Sequence, residues 1–203
     1  MSTTPLTAQL AALPGVQVRE TEHASVGYDL SVTLPESTLL AAVTLMDEAG
    51  YFLEGMTGVD WLGECEALRK EAEAKAKKAA EAAAASAAAS GTADAPTAAD
   101  AADTVNAAAA GAPTPASIPQ EDELEVVYDF NRFSARHRVC LRVRTPRSNP
   151  QIHTVAEIYP IAHWHEREIH EFFGIVFIGH PYLIPLLLPE DAEYHPLLKD
   201  YSA

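Results

Sequence analysis

One stretch of this chain cannot contribute to a folded core, and it divides the rest of the sequence. From Ala79 to Ala116 almost every residue is Ala, Ser, Thr, Gly, Asp or Pro. Such a segment carries too little apolar area to offset the conformational entropy lost on folding. We therefore expect one domain split into residues 16–63 and 123–178, an Ala-rich low-complexity insert over residues 64–122, and an extended tail over residues 179–203.

Charge and cysteine content narrow the class of protein. The formal net charge is −15, which argues against nucleic acid as a partner because phosphate binding requires a basic face. The two cysteines, Cys65 and Cys140, lie far apart, whereas a cuboidal iron–sulfur cluster is held by about four thiolates. The N-terminus does not resemble a signal peptide, and the longest apolar run, Tyr182–Leu188, is too short to span a bilayer. These features predict a cytoplasmic chain.

Alternation of apolar and polar residues predicts several strands. Before the insert it runs from Val26 to Leu34, and a short second strand is expected at Tyr51–Leu53, leaving through a turn at residues 56–61. After the insert, Leu124–Phe130 and Val139–Val143 indicate a hairpin with a tight turn at residues 131 and 132.

Three parts of the sequence are predicted to contain helices. Apolar residues between Leu39 and Met46 recur at helical spacing, and Gly50 provides the stop. Residues 62–89 are rich in strong helix formers but carry no apolar stripe. Val155–Tyr159 and Ile161–Phe173 indicate two helical pieces broken at Pro160, followed by a last short strand over residues 175–178. This order predicts an α+β fold, with a small, mainly antiparallel sheet and helices packed on one face.

The hairpin carries a basic face formed by Arg138, Arg142 and Arg144. These arginines either face solvent or pair with carboxylates of the chain or of an acidic partner. A solvated strand face is the commoner arrangement, and we favour it slightly on the sequence alone.

Histidines in the C-terminal third raise the alternative of a stand-alone metal-binding enzyme using His and Glu ligands. His165 and His170 resemble the zinc-protease pattern, but their offset is five residues, whereas two imidazoles share a helix face at an offset of four. His163 and His170 do share a face, yet no third ligand is evident. The sequence therefore favours histidines that cap helices or line an interface.

The segment from Trp164 to Tyr201 has the character of a docking surface. Dense charges precede Phe172 and Phe173, and the tail that follows is apolar, rich in proline and without a period. An intrahelical pair between Arg167 and Glu171, and a tail folded back on its own sheet, are the plainer alternatives. The residues expected at the interface are Glu166, Arg167, Glu168, Glu171, His180, Pro181, Leu187, Leu188, Lys199 and Asp200.

Several motifs in this region resemble a known family. They are Glu166–Glu168, Glu171–Ile175, Phe177, Gly179–Pro181, Leu187–Asp191 and Pro196–Tyr201, together with Thr57–Asp60 and Val126–Tyr128 upstream. The pattern resembles the signature of the 30 kDa-type subunit family of respiratory-chain NADH dehydrogenases, which supplies the C subunit of bacterial NADH:quinone oxidoreductase, or complex I. Related subunits occur in energy-converting nickel–iron hydrogenases and formate hydrogenlyases. The resemblance covers both foldable parts and omits residues 62–122.

The resemblance implies a non-catalytic scaffold with no cofactor of its own. Its implied partners are the large catalytic subunit, which carries a quinone or nickel–iron site, and the small iron–sulfur subunit. Contact with the membrane would be made only through the complex, at the cytoplasmic face of the inner membrane.

Two departures from the family pattern bear on which complex this is. Family members usually carry arginine where this chain has Ile184 or Pro185, and again where it has Leu198. Loss of these arginines removes bidentate contacts to partner carboxylates. The departures favour a hydrogenase-type assembly over an NADH or ferredoxin:quinone oxidoreductase.

Overall fold

A computed structural model describes residues 5–74, residue 77 and residues 121–202. The chain divides into two compact units, one formed by residues 1–62 and 121–203 and the other by residues 63–120. In the part of the second unit that is described, helix α4 covers residues 64–74, and Lys70 pairs with Glu66 one turn earlier at 2.5 Å. The remainder of the helix expected over residues 62–89 lies outside the described residues.

A five-stranded sheet organises the first unit. Its strands are β1 (Gln17–Glu20), β2 (Leu30–Leu34), β3 (Phe52–Asp60), β4 (Glu123–Arg132) and β5 (His137–Pro146). The order across the sheet is β1-β2-β5-β4-β3. Of the four pairings between these described strands, that of β2 with β5 is parallel and the others are antiparallel. The expectation of a mainly antiparallel sheet is confirmed.

Helices pack on one face of this sheet, except for one four-residue helix that buries no side chain. The helices of the first unit are α1 (Leu6–Ala11), α2 (His23–Val26), α3 (Leu39–Glu48) and α5 (Ala162–Phe173), and a short 3-10 turn covers Glu36–Thr38. α3 buries Leu39, Val43 and Met46, and α5 buries Ile169. These side chains join the inward-facing residues of β2, β4 and β5 in one core, which confirms the α+β fold class.

A second, two-stranded sheet positions helix α5. β6 (Gln151–His153) and β7 (Val176–Ile178) pair in parallel, and α5 provides the crossover that parallel neighbours need. Gly174 ends α5 in the left-handed conformation, with φ of 74°, as expected of a helix C-terminal glycine. Beyond β7 the chain turns at Gly179, whose φ is 85°. Among the described residues no helix is long and apolar enough to cross a membrane.

Several predicted boundaries were wrong. The first strand begins at Leu30, because residues 23–26 form α2. β3 continues through the expected turn at residues 56–61, since residues 56–60 pair with β4. The hairpin turn lies at residues 133–136, beyond Arg132, which still pairs with His137. Residues 155–159 contain a turn in place of the expected helical piece, and the helix begins at Ala162.

The basic face of the hairpin is paired with carboxylates of its own chain. Arg138 contacts Glu54 at 2.6 Å, Arg142 contacts Glu125 at 3.6 Å and Arg144 contacts Glu123 at 3.3 Å. Of the two arrangements considered, the structure shows pairing with carboxylates of the chain, and the slight preference for a solvated face was wrong. Strands β4 and β3 place these carboxylates within reach of the arginines of β5, an arrangement that the sequence of the hairpin alone does not reveal.

Candidate functional site

The candidate site is the C-terminal strap, residues 179–202, together with the surface of α5 that it crosses. Within the described residues the strap contains no helix or strand. Its four prolines, at positions 181, 185, 189 and 196, lack a backbone N–H and disfavour helical geometry in the preceding residue. Such a segment keeps a fixed path only where other residues bind its backbone.

Glu171 provides the central anchor of the strap. Its carboxylate accepts hydrogen bonds from the backbone N–H groups of Leu186 at 2.7 Å, Leu187 at 3.0 Å and Leu188 at 3.1 Å. Burial opposes ionisation of this group, but the three N–H donors favour the carboxylate so strongly that the pKa of Glu171 falls below its usual value. The carboxylate of Glu171 thus fixes three consecutive residues that belong to no helix or strand.

Arg167, one turn earlier on α5, binds the adjacent part of the strap. Its Nε donates to the carbonyl of Ile184 at 3.0 Å and its Nη2 to the carbonyl of Pro185 at 2.8 Å. The guanidinium also lies 5.5 Å from the ring centroid of Trp164 and 5.6 Å from that of Tyr182, within the range of cation–π attraction. Arg167 therefore joins an aromatic of the helix to an aromatic of the strap.

His195 holds the strap against the end of α5. Its Nδ1 donates to the carbonyl of Glu171 at 2.8 Å. The ring lies so close to Gly174 that a Cβ there would come within 2.9 Å of it. The N–H of Leu197 then donates to the carbonyl of Phe172 at 3.2 Å. The carbonyls at the helix C-terminus, which have no intrahelical partner, are thereby satisfied by the strap.

The far end of the strap is fixed to the sheet by Asp60. This side chain, on a residue only 5% exposed, accepts from the N–H of Lys199 at 2.9 Å and from the N–H of Leu62 at 3.0 Å. It also pairs with Arg147 at 3.3 Å, and Arg147 in turn contacts Asp200. Sequence reasoning assigned no role to Asp60 or Arg147. The only signal was the place of Asp60 at the end of a motif shared with the family.

A buried polar cluster supports the start of the strap. Glu166 is fully buried, accepts from the N–H of Val155 at 2.7 Å and is hydrogen-bonded by the hydroxyl of Thr154. Burial raises the pKa of Glu166 to about 7, although both hydrogen bonds favour the ionised form. His180, whose side chain is also buried, lies 3.9 Å from this carboxylate.

The tautomer of His180 follows from its partners. Its Nδ1 accepts from the N–H of Tyr182 at 3.1 Å, so its Nε2 carries the proton and donates to Nδ1 of His163 at 3.0 Å. Burial, and next the neighbouring His163, lower the pKa of His180 and keep the ring neutral. His180 therefore links the first turn of the strap to α5.

The outward side of the strap is apolar and accessible. Large hydrophobic side chains between 36% and 66% exposed occupy both the strap and the adjoining turn of α5. They are Ile161, Trp164, Tyr182, Ile184, Leu187, Tyr194, Leu197 and Tyr201. Leu183 and Leu198, in contrast, pack against the core. We call the exposed set the strap face.

The ten residues expected at an interface separate into two groups. Glu166 and Glu171 are 0% and 3% exposed and bind groups of their own chain, and the His180 side chain is buried as well. These three do not present a surface to a partner, because the strap and the β6–α5 connection supply their hydrogen-bond partners. Arg167, Glu168 and Leu188 are half-buried, and Pro181, Leu187, Lys199 and Asp200 are exposed. An interface role for the accessible residues remains a prediction.

The histidines considered for metal binding do not converge. His163 faces His180, and His170 donates to the carbonyl of Ile175 at 2.9 Å. Within residues 5–74 and 121–202, no group of three or more His, Cys, Asp or Glu side chains is placed to hold a metal ion.

These features define a class of protein: an α+β module whose buried carboxylates bind its own C-terminal strap and whose accessible strap surface is apolar. The sequence model of the family described as "Respiratory-chain NADH dehydrogenase, 30 Kd subunit" matches residues 32–203. The chain belongs to this family, as its motifs predicted.

Individual relatives agree with this assignment. The C subunit of NADH-quinone oxidoreductase from Roseiflexus castenholzii is 49% identical over 81 residues, which cover 40% of this chain and 47% of that protein. The C subunit of F(420)H(2) dehydrogenase from Methanosarcina mazei is 46% identical over 86 residues, covering 41% and 54%. The chain thus spans about half the length of these curated relatives. A chain of an archaeal respiratory membrane complex, the membrane-bound sulfane sulfur reductase, shares the fold with a TM-score of 0.58 at 19% identity, covering 95% of this chain and 81% of that chain.

Proposed function

We propose that this chain is a non-catalytic, peripheral subunit of a complex I-like, membrane-associated redox complex. The strap face is its docking surface on the large catalytic subunit. The observation that carries the proposal is the contrast within the strap: its backbone is bound by Glu171, Arg167 and Asp60, while apolar side chains such as Leu187 stay exposed.

The composition of the strap face is that of a protein interface. Exposed apolar side chains concentrated in one segment favour contact with another protein. Trp164 and Tyr182 are the residue types most enriched among those that carry binding energy. Both lie against Arg167, so the aromatic rings are held in place before a partner arrives.

The strap is organised by its own chain. A tail ordered mainly by its partner would lose much of its binding energy to ordering. Here the backbone hydrogen bonds to Glu171 and Arg167 fix the path of residues 184–188 in advance. Docking would then bury the outward side chains at a smaller entropic cost.

The names of the relatives bear on the kind of complex to which this chain belongs. Subunits of NADH-quinone oxidoreductase and F(420)H(2) dehydrogenase favour a dehydrogenase complex over the hydrogenase-type assembly suggested by Ile184, Pro185 and Leu198. In that setting the small iron–sulfur subunit is the second neighbour, and the iron–sulfur clusters and quinone site belong to partner subunits. The chain would sit at the cytoplasmic face of the inner membrane and reach the membrane only through the complex.

One pair of variants tests the proposal. Leu187 is 66% exposed, so Leu187→Arg should leave folding intact and place a charge in the docking surface. Leu40, 41% exposed on α3, provides the matched control Leu40→Arg. We expect the large subunit to co-purify with the tagged Leu40→Arg chain but not with Leu187→Arg, at unchanged melting temperature. Normal stoichiometry with Leu187→Arg would show that the strap face is not the docking surface.

A further inference from the structure

The tip of the β4–β5 hairpin carries a second accessible patch. Residues 133–136 form the turn, closed by hydrogen bonds from Ala135 N to the Arg132 carbonyl at 3.1 Å and from Arg136 N to the Phe133 carbonyl at 3.2 Å. Phe133 is 77% exposed, more than any other large hydrophobic side chain in the described part of the chain. Its ring packs on that of Phe52, with centroids 4.8 Å apart. The hairpin turn and the first residue of β3 thus present an aromatic pair to their surroundings.

Arg136, the last residue of the turn, has a backbone conformation that is unfavourable for arginine. Its φ is +50°, the only positive φ at a non-glycine residue among those that the structure describes. Glycine or asparagine adopts this region at lower cost. An arginine kept in an unfavourable backbone conformation indicates that its side chain serves a purpose outside local folding.

Arg136 places a positive charge beside the aromatic pair. The nearby carboxylates are already engaged: Glu54 binds Arg138 at 2.6 Å, and Asp29 binds the backbone N–H of Arg138 at 2.7 Å and His23 at 3.3 Å. Among the described residues, no carboxylate pairs with Arg136. The exposed guanidinium of Arg136 is therefore available to a carboxylate of another protein.

A small cavity lies between these groups. Its volume is about 220 Å³, and it is lined by His23, Asn131, Phe133, Arg136 and Arg138. The guanidinium of Arg136, beside that of Arg138, which already binds Glu54, offers charge-assisted hydrogen bonds to a carboxylate. The neighbouring phenylalanine ring offers an apolar contact to the residues that flank such a carboxylate.

We propose that this tip patch, formed by Phe52, Phe133, Arg136 and Arg138, binds an acidic segment of another protein. A carboxylate of the partner occupies the cavity beside Arg136 and Arg138, and an apolar side chain of the partner covers the pair of phenylalanine rings. Exposed aromatic and arginine side chains are the types that dominate binding energy at protein interfaces.

The tip patch lies at the opposite end of the sheet from Asp60, which binds the far end of the strap. Asp60 pairs with Leu124 at the start of β4, whereas Arg132 ends the strand and adjoins the turn. Eight residue steps separate Leu124 from Arg132, a distance of roughly 26 Å at about 3.3 Å per residue. The tip patch therefore lies away from the part of the strap that Asp60 fixes.

Photo-crosslinking in the native host gives a direct test. The full chain carries p-benzoyl-phenylalanine at position 133, and the purified complex is irradiated and digested for mass spectrometry. The expected product joins position 133 to a peptide of a different protein with a net negative charge. A crosslink to a basic or neutral peptide, a crosslink to a second copy of this chain, or no crosslink to another protein overturns the proposal.

A matched set of variants separates binding from folding. Arg136→Gly removes the side chain and suits a φ of +50°, so its melting temperature should match or exceed that of the wild type. We expect the yield of the crosslinked partner to fall about tenfold, as for loss of a central interface arginine. Arg19→Glu, at an exposed position of β1, should leave the yield unchanged. An unchanged yield with Arg136→Gly contradicts the proposal.

Discussion

The ring of Phe173 lies directly on the backbone of Gly58, where a Cβ would come within 2.5 Å of its Cδ2 atom. This contact joins the last residue of α5 to the second half of β3. It gives a physical reason for glycine within the motif Thr57–Asp60. We expect Gly58→Ala to lower the free energy of unfolding by about 1–3 kcal/mol, because overpacking forces the ring or the strand to move. Urea denaturation measures the change.

Gly55 provides the control on the same strand. A Cβ at this position would meet nothing within 4 Å, so Gly55→Ala should be neutral or stabilise the fold by up to about 1 kcal/mol. Because the Gly58 effect arises at Phe173, the double variant Gly58→Ala/Phe173→Leu should recover part of the lost stability. Equal effects of alanine at both glycines would contradict the packing explanation.

Glu171 should contribute more to stability than Glu168 on the same helix. Glu171→Ala leaves the N–H groups of residues 186–188 without their acceptor, and we expect a loss of about 2–4 kcal/mol. Glu168 is only half-buried, so Glu168→Ala should have little effect. Limited proteolysis of the Glu171→Ala chain should show early cleavage within the strap, whereas an undisturbed strap would exclude the anchoring role.

We expect the contribution of the Glu171 carboxylate to stability to depend on pH. The pKa of Glu171 is lowered in the folded chain from a usual value of 4.5, so its stabilising contribution is present above that pH and is lost as the pH falls through the folded value. The stability difference between the wild type and Glu171→Ala should therefore shrink below about pH 4.5. A difference that is constant down to the acid transition would contradict the charge-assisted anchor.

The contribution of Glu166 to stability should change with pH in the opposite direction. Its pKa is raised from 4.5 to about 7 in the folded chain, so folding favours the protonated form and stability is lost as the pH rises from 4.5 towards 7. Glu166→Gln keeps the shape and removes the titration. Relative to this variant, the wild type should lose up to about 3 kcal/mol across that range. Thermal denaturation at a series of pH values gives the comparison, and parallel curves would contradict it.

The two aspartates that pair with Arg147 should contribute very differently to the stability of the fold. Asp60 is buried and also accepts from two backbone N–H groups, so Asp60→Ala leaves Arg147 and both donors without this acceptor. We expect a loss of about 3 kcal/mol. Asp200 is exposed, so Asp200→Ala should leave the melting temperature close to that of the wild type. Comparable losses of stability in the two variants would show that this anchor depends on the ion pairs with Arg147 and not on the buried acceptor Asp60.

Local patterns in the sequence were sufficient for much of the fold. The spacing of Leu39, Val43 and Met46 predicted α3, the alternation after the insert predicted the β4–β5 hairpin, and Gly174 predicted the end of α5. These features depend on residues close together in the chain, where periodicity and backbone preference act directly. The long motif from Glu166 onward was specific enough to identify the family, which the match over residues 32–203 confirms.

What the tertiary structure decided was the role of each charged side chain. From the sequence, Glu166 and Glu171 were expected at the interface with a partner. In the fold, Glu166 meets the β6–α5 connection and Glu171 meets the strap backbone, so both act within the chain. Likewise, the length of β3 followed from its pairing with β4, across the insert. The sequence determined which residues are charged, apolar or glycine. Only the folded chain decided which N–H groups face each carboxylate, because those donors lie 11–17 positions away, and up to 139 for Asp60.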